Sequence, residues 1–318
     1  DWLKAIFEDG KRLPPPGTAQ LTIVVPVKVD KIKGTDIFDI AEIRQFEGDI
    51  VSFQSFPGIK ATITTKNVYM GQMGLKAIKP NTRIAITPKY NHVVTAELNG
   101  NLDLFDATAS AQVKSNIACE DIMSYDGRLY VKNKSSVGEV EFVELPNVTH
   151  AVAKPVANVL EQATKLFDGV VIQDLVGACF VSVFPKSGVH KQNRIKELDG
   201  LKIIDAKFNS GILMVVTTKR GRYNRFVIKF SPEFSEYDLI EEKDIIYVGL
   251  NFTVLENGIC ALIDEDEKMQ IFHNKMGSKD KKTIEDPHLS GDMVLFRDGI
   301  RLLFAKEDRL YSLTMKKK

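Results

Sequence analysis

Short apolar runs separated by turns recur along the chain from residue 49 onward. Residues 61–65, 179–184 and 212–218 are rich in β-branched or aromatic side chains and are bounded by turn residues, which is typical of strands. Apolar positions at helical spacing are largely absent from this part of the sequence. The pattern therefore predicts an all-β protein made of repeated units.

The period of the repeat is about 40 residues, which is the length of a four-stranded propeller blade. The first turn of each predicted unit lies near Gly58, Asn91, Gly127, Gly177, Gly211, Gly258 and Gly299. The third strand of each unit is predicted at residues 68–70, 102–105, 140–143, 190–195, 226–230, 269–272 and 310–313. These positions predict about seven blades.

Residues 91–106 form the clearest unit, with a β-rich strand, an Asn99-Gly100 hairpin turn and an alternating strand. Residues 97–106 resemble the second turn and third strand of a WD-repeat blade, with Phe105-Asp106 where that family has Trp-Asp. Phe142-Val143 and Ile271-Phe272 are weaker copies, and the Gly-His dipeptide of that family is absent. The resemblance implies a single, degenerate WD-repeat-like β-propeller over roughly residues 20–316.

The two ends of the chain predict how the propeller is completed. The last unit stops after its third strand, so we expect an N-terminal strand to supply the fourth and cover an exposed sheet edge. Residues 21–29 are the candidate, because Pro26 is tolerated in an outer strand. Residues 39–46 fit either one or two helical turns or another outer strand.

One segment has helical spacing. Pro155 suits a helix start and Gly169 a helix stop, with apolar residues on one face between them. The sequence therefore predicts an inserted helix near 155–168, packed on the rim of the propeller or available to a partner.

Residues 1–18 are predicted to form a separate element, with a short helix carrying Trp2 and Phe7 and then a Pro-rich linker. The propeller would occupy 19–318. The segment is either a linker remnant or a docking element for an upstream domain. The absence of an initiator Met leads us to expect a processed chain or a fragment of a longer one.

Composition narrows the class of protein. The 318 residues are 44% hydrophobic and 27% charged, with a net charge of +1, so no overall bias toward nucleic acid exists. No apolar run is long enough for a membrane helix. Cys119, Cys179 and Cys260 lie in apolar runs and are expected to be buried free thiols, which favours an intracellular location, cytoplasmic or nuclear.

No catalytic or metal-binding arrangement is evident. The five histidines are scattered, and residues 264–267, although all acidic, lack the spacing of a calcium loop. We therefore expect a non-catalytic protein without a cofactor. The alternative is a ligand-binding or catalytic propeller that uses its central channel.

Charged residues concentrate in the loops that join second to third strands, and these loops open on one face of a propeller. The expected basic residues there are Lys132, Lys134, Lys186, His190, Lys191, Arg194, Lys219, Arg220, Arg222 and Arg225, with Tyr223 beside them. The expected acidic residues are Asp264, Glu265, Asp266, Glu267, Glu307 and Asp308. A second basic loop, residues 275–282, would open on the opposite face.

This polarised face predicts a protein-interaction scaffold or sensor that binds a partner protein, an adjacent domain or a subunit of a larger complex. Arg220, Arg222, Tyr223 and Arg225 are the strongest candidates, because Arg and Tyr are enriched at binding hot spots. Two alternatives stay open. The charged tips serve solubility alone, or the basic arc over the third to fifth blades contacts nucleic acid.

Overall fold

The computed structural model describes residues 38–316, except 57, 80, 88–91, 185–190, 246–250 and 274–280. The helix and linker predicted at 1–18 and the strand predicted at 21–29 lie outside the described residues. The domain boundary between residues 18 and 19 therefore stays a prediction.

The described residues form 28 strands, β1 to β28, and two short 3-10 turns at Glu161–Ala163 and Lys196–Leu198. Sheet A has the order β2-β3-β4-β5, with bounds Ile50–Phe56, Ile59–Thr64, Asn67–Met70 and Met73–Ala77. Sheet B has eight strands, β6 to β13, with bounds Arg83–Thr87, His92–Leu98, Leu102–Asp106, Ala111–Ser115, Asp121–Tyr125, Arg128–Asn133, Ser136–Leu145 and Val148–Asn158.

Sheets C, D and E are four-stranded and follow in chain order. Sheet C contains β14 to β17, with bounds Thr164–Phe167, Val170–Leu175, Ala178–Val183 and Lys191–Arg194. Sheet D contains β18 to β21, with bounds Lys202–Asn209, Ile212–Lys219, Arg222–Phe230 and Tyr237–Ile245. Sheet E contains β22 to β25, with bounds Phe252–Val254, Ile259–Ile263, Met269–His273 and Lys282–Ile284.

Sheet F joins the last three strands to the first one. Its order is β1-β28-β27-β26, with bounds Phe38–Gln45, Arg309–Met315, Arg301–Lys306 and Val294–Asp298. An N-terminal strand therefore completes the last sheet as predicted, but within the described residues it is β1 and not residues 21–29. β1 also decides the open choice at residues 39–46 in favour of a strand.

The expected count of seven separate four-stranded blades is wrong. Five sheets are four-stranded blades, and the sixth is the eight-stranded sheet B. In sheet B, two successive meanders are joined because β13 pairs in parallel with β9 at His150↔Lys114 and Ala151↔Ser115. The pairing uses the third and fourth residues of β13, and a count of turns in the sequence does not reveal it.

The helix predicted near 155–168 is also wrong. These residues form the end of β13, the 3-10 turn at Glu161–Ala163 and β14. Pro155 stands opposite Gly138 across β12, next to a β-bulge between Val137 and Gly138. Beyond Ala151 the other edge of β13 has no strand partner among the described residues, so the missing N–H of Pro155 is tolerated there.

The chain divides into two compact units. Of the described residues, those within 38–52, 203–205 and 209–316 belong to unit I, and those within 53–202 and 206–208 belong to unit II. In unit I, two apolar clusters run between sheets D and E and between sheets E and F, with Phe252, Phe272 and Phe304 among their members. In unit II, clusters run within sheet B and between sheets A and B.

The first turn of sheet C lies at Gly169, between β14 and β15, and not at Gly177 as the sequence indicated. Gly177 belongs to the second turn, so residues 191–194 form the fourth strand of this sheet rather than the third. Gly169 has φ +78, and a Cβ there would lie 2.7 Å from Tyr125 Cε2 and 2.9 Å from the carbonyl oxygen of Phe208. Glycine is therefore required at 169 both by the backbone and by its neighbours.

We expect Gly169→Ala to lower the free energy of unfolding of the chain by about 1–3 kcal/mol more than Gly100→Ala. Both substitutions place an Ala in the left-handed region, since Gly100 has φ +72, but a Cβ at residue 100 meets nothing within 4 Å. Urea denaturation of the two variants measures the difference. Equal losses of stability would show that the contact with Tyr125 does not constrain residue 169.

Candidate protein-docking surface

Three hairpin turns of unit I carry the charged residues that the sequence singled out. They join the second to the third strand of sheets D, E and F at residues 219–222, 263–269 and 306–309, and we call them the docking turns. Arg225, three residues after the docking turn of sheet D, interacts electrostatically with Asp264 and Glu265 in the docking turn of sheet E. The charged turns of sheets D and E are therefore neighbours.

The docking turns of sheets E and F are linked through residues 290–292. The Gly291 N–H donates to the Glu267 carboxylate at 3.2 Å. Lys306 lies 3.5 Å from Asp292 and donates to the Ser290 hydroxyl at 3.2 Å. The three docking turns thus lie on one side of unit I.

The docking turn of sheet D is a tight two-residue hairpin. Arg220 and Gly221 have φ +52 and +79, and Lys219 pairs with Arg222. The Thr218 hydroxyl donates to the Arg222 carbonyl at 3.0 Å and holds the turn together. Within the part of the chain that the structure describes, the exposed Lys219 and Arg220 side chains have no ion-pair partner.

Arg222 forms only a solvent-exposed ion pair. Its Nη1 lies 3.4 Å from Asp244, and the two side chains are 77% and 59% exposed. Water screens a pair of this kind, so it contributes little stability and leaves Arg222 available. Tyr223 is half-buried and packs against the apolar cluster between sheets D and E, so only part of its ring is accessible.

Arg225 does not lie on the surface, contrary to the sequence-based expectation. Its side chain is 3% exposed, and Nη1 donates to Glu242 at 3.0 Å. Burial lowers the pKa of the guanidinium, while the nearby carboxylates of Glu242, Glu265 and Asp264 act in the opposite direction. Arg225 therefore supports the docking turns from beneath. Its partner Glu242 was missed, although it stands directly opposite Arg225 in the sheet.

In the docking turn of sheet E, some of the carboxylates are engaged by N–H groups and by Lys268 of the same sheet. Asp264 accepts the backbone N–H groups of Asp266 at 3.1 Å and Lys268 at 2.9 Å, and also the side-chain amide of Gln270 at 2.6 Å. Lys268 lies between Asp266 at 3.5 Å and Glu285 at 3.0 Å, and the hydrogen bond to Glu285 raises its pKa. Glu265 and Asp266 are exposed and present the accessible charge of this turn.

The docking turn of sheet F is fixed by the first described strand, β1, and by the residues that follow it. Phe46 and Ile50 donate their backbone N–H groups to the carbonyls of Asp308 and Glu307, both at 2.8 Å. Arg309 pairs with Glu42 of β1 at 2.7 Å, and that hydrogen bond raises the pKa of Arg309. The expected acids Glu307 and Asp308 are thus held in place by β1 and the residues that follow it.

In unit II, the expected basic residues do not share one surface. Lys132 is buried in an ion pair with Glu120, while Lys134 is exposed in the following turn. Arg194 lies at the same end of sheet C as the β15–β16 turn and pairs with Asp199 at 2.9 Å, but Lys191 lies at the opposite end, across from Val183. Lys186 and His190, like the basic loop at 275–280, lie outside the described residues.

Among the described residues, no group of three or more His, Cys, Asp or Glu side chains is placed to hold a metal ion. No helix in the described part of the chain is long and apolar enough to cross a membrane. The three cysteines are buried and free of disulfides, as predicted.

Comparison with known proteins gives likeness in fold. No protein-family model matches the chain, and no curated protein matches its sequence. Among solved structures, Hsv2 from Kluyveromyces marxianus has a TM-score of 0.51 and 12% identity, over 85% of this chain and 98% of that one. Hsv2 from Kluyveromyces lactis and the RRP9 WD40 repeats each have a TM-score of 0.47, at 11% and 12% identity. They cover 85% and 87% of this chain and 98% of their own chains.

The all-β propeller fold predicted from the sequence is confirmed, but its seven four-stranded blades and its inserted helix are not. The chain is an all-β, WD-repeat-like β-propeller built from consecutive antiparallel meanders. Asp106, which stands where the WD family has its Asp, is buried and accepts the backbone N–H groups of Thr108 and Ala109, both at 2.9 Å. It thus fixes the turn that leads into β9.

We expect Glu242→Ala to lower the free energy of unfolding by roughly 1–3 kcal/mol, because it leaves the buried Arg225 guanidinium without its carboxylate. Adding Arg225→Met should recover most of that loss, since a buried ion pair can be replaced by apolar packing. Arg222→Ala, which removes an exposed pair, is the control and should cost less than about 0.5 kcal/mol. Urea denaturation at neutral pH measures all three, and a double variant no more stable than Glu242→Ala contradicts the pairing.

We expect Cys119 and Cys179 to react slowly with Ellman's reagent at pH 8 while the protein is folded. Burial raises the pKa of each thiol to about 12, so the reactive thiolate is scarce. Labelling should become fast in denaturant, with the modified positions identified by peptide mass spectrometry. Rapid labelling of either residue in the native protein would show that its thiol is accessible.

Proposed function

We propose that this chain is a non-catalytic interaction module, a scaffold or sensor that binds a partner protein through the docking turns of unit I. The observation that carries the proposal is that the Lys219 and Arg220 side chains are exposed without an ion-pair partner among the described residues. Both are exposed and unpaired within the described residues, on a turn whose backbone is fixed by hydrogen bonds. A fixed turn loses little conformational entropy on binding, so its charges are preorganised for contact.

The opposite charges of the docking turns of sheets D and E indicate which charges the partner should carry. The basic side chains Lys219, Arg220 and Arg222 lie on the docking turn of sheet D, and the exposed acids Glu265 and Asp266 lie on the docking turn of the next sheet. A partner with an acidic patch next to a basic one would match this pattern, and such complementarity sets the register and speeds association. We propose an adjacent domain or a subunit of a larger intracellular complex as this partner.

A nucleic acid matches the docking turns less well. The phosphates of a nucleic acid are all negatively charged. Glu265 and Asp266, on the turn next to the basic one, would therefore repel them. The buried Lys132 and the paired Arg194 further reduce the basic arc expected from the sequence. Nucleic-acid contact is therefore kept as an outcome of the experiment.

We expect Arg220→Ala/Arg222→Ala to weaken binding of the partner at least tenfold, as for loss of a hot spot of about 2 kcal/mol. The tagged chain captures proteins from cells of the source organism, and the most enriched protein is purified and titrated by calorimetry. The matched control is Lys229→Ala/Arg301→Ala, which removes two exposed cations from the opposite ends of sheets D and F.

Equal affinity of the two double variants would contradict docking through these turns. A 30-residue RNA or DNA probe is titrated in parallel at several salt concentrations. Binding that falls steeply with salt and depends on Arg220 and Arg222 would assign the docking turns to nucleic acid instead.

A further inference from the structure

The hairpin formed by β12 and β13, in unit II, has one edge that is largely unpaired. β12 pairs with one edge of β13 from Val148 to Asn158. The other edge of β13, which we call the outer edge, pairs with β9 only at His150 and Ala151. Beyond Ala151 the outer edge has no strand partner among the described residues. An unpaired strand edge is a ready template for a further strand, so its exposure needs an explanation.

β9 leaves the outer edge because its chain returns to β8. Val113 stands opposite Leu104, and five residues later Ala118 stands opposite the residue only three before Leu104. Two residues of this segment therefore bulge out of the β8–β9 pair. Ser115, which pairs with β13, lies in the bulge. Once the chain has rejoined β8, the ladder between β9 and β13 stays open.

The hydrogen-bond pattern of the hairpin indicates which backbone groups face the outer edge. A two-residue turn ends in a hydrogen-bonded pair, here Leu145↔Val148, and hydrogen-bonded pairs then alternate with pairs whose backbone groups point outward. Ala151, Ala153 and Pro155 belong to the outward set. Because proline has no N–H, the open part of the edge offers the Ala153 N–H and the carbonyls of Ala153 and Pro155. None of these groups has a hydrogen-bond partner among the described residues.

A cleft of about 380 Å³ lies beside these backbone groups, and we call it the edge cleft. Val131, Gly138 and Ala153 line it from one face of β11, β12 and β13, and Ile117 and Ala118 line it from the segment after β9. None of the described residues that line the edge cleft is charged. An ionised side chain would lose its hydration there without gaining a partner, so the edge cleft suits an apolar side chain.

We infer that an extended peptide segment of a partner protein adds to the outer edge of β13 and places an apolar side chain in the edge cleft. In an added strand, the residue opposite Ala153 projects its side chain to the same face of the sheet as Ala153, which is the face that lines the cleft. The three open backbone groups would supply affinity and the cleft would supply selectivity, as in other cases of strand addition.

A free small molecule matches the site less well than a peptide. It could fill the edge cleft, but it would leave the Ala153 N–H and the two carbonyls of the outer edge without the regular partners that an extended backbone provides. The edge cleft lies in unit II, so the inference is independent of the docking turns of unit I.

Selection of peptides on the full chain tests the site. A phage-displayed library of random short peptides is depleted on Ala153→Leu, which fills the edge cleft, and is then selected on the unchanged chain. We expect peptides that share an apolar residue and bind the unchanged chain at least about tenfold more tightly than Ala153→Leu. Failure to recover such peptides would overturn the inference.

Ala111→Leu is the matched control, because it enlarges another exposed strand alanine of unit II. It should bind the selected peptides as tightly as the unchanged chain does, and an equal loss of affinity in both variants would overturn the inference. Both variants should unfold within about 2 °C of the unchanged chain, since residues 111 and 153 are exposed.

Methylation of the peptide backbone tests strand addition without any change to the protein. Each residue of a selected peptide is N-methylated in turn, and each product is titrated against the unchanged chain by calorimetry. An added strand turns only alternate N–H groups toward β13. Affinity should therefore fall at least about tenfold at two residues that are two positions apart, and less than about twofold at the residue between them. A loss at consecutive residues, or at none, would overturn the inference.

Sedimentation of the chain alone tests a second copy of the chain as the occupant. We expect the unchanged chain and Ala153→Leu to sediment alike at every concentration. Association that rises with concentration and that Ala153→Leu abolishes would assign the outer edge to pairing between copies and overturn the inference.

Discussion

The register of the hairpin turns is the constraint on which the rest of the structure depends. The sheets are built from antiparallel hairpins, in which the turn decides which residues stand opposite one another, and a slip of one residue would exchange the two faces of a strand. In sheet D the pair Lys219↔Arg222 sets the pair Val216↔Arg225 three steps further on. The same turn therefore presents Lys219 and Arg220 to solvent and places Arg225 in the interior beside Glu242.

The pairing of β1 with β28 joins the first and the last of the described strands in one register. Seven residue pairs join the two strands, and β1 thereby covers the edge of β28 that sheet F would otherwise expose. The hydrogen bonds from Phe46 and Ile50 to Asp308 and Glu307 then fix the third docking turn. The acidic end of the proposed docking surface thus depends on residues more than 250 positions earlier in the sequence.

Local patterns predicted the hairpins well where the turn residues are distinctive. Asn99-Gly100 correctly marked the turn between β7 and β8, because Asn followed by a Gly with positive φ is strongly favoured in tight hairpin turns. In sheet C two glycines eight residues apart, Gly169 and Gly177, offered two registers, and the apparent helix before Gly169 led to the wrong one. Nothing local distinguishes them, since the contact that requires Gly169 comes from Tyr125 in another strand.

Only some of the charged residues that the sequence singled out are exposed on the docking turns. Lys132 and Arg225 were expected to be exposed, yet both are buried in ion pairs with carboxylates from other parts of the chain, Glu120 before β10 and Glu242 in β21. A sequence shows that a charge lies near a turn, but its burial is decided by the sheet packed against it. Buried pairs of this kind need their partners in place, so these residues are committed to the fold.

What is left for recognition is the tip of the turn. Arg220 and Val176 occupy equivalent positions, each with a left-handed φ before a left-handed glycine and each exposed. A side chain there is excluded from both strands of its hairpin, so it has no packing role that constrains its identity. The residue chosen at such a tip then reflects either the backbone preference for Asn, Asp or Gly or the demands of a contact. Arginine and valine are not the residues that the backbone prefers, so backbone preference alone does not explain the choice at either tip.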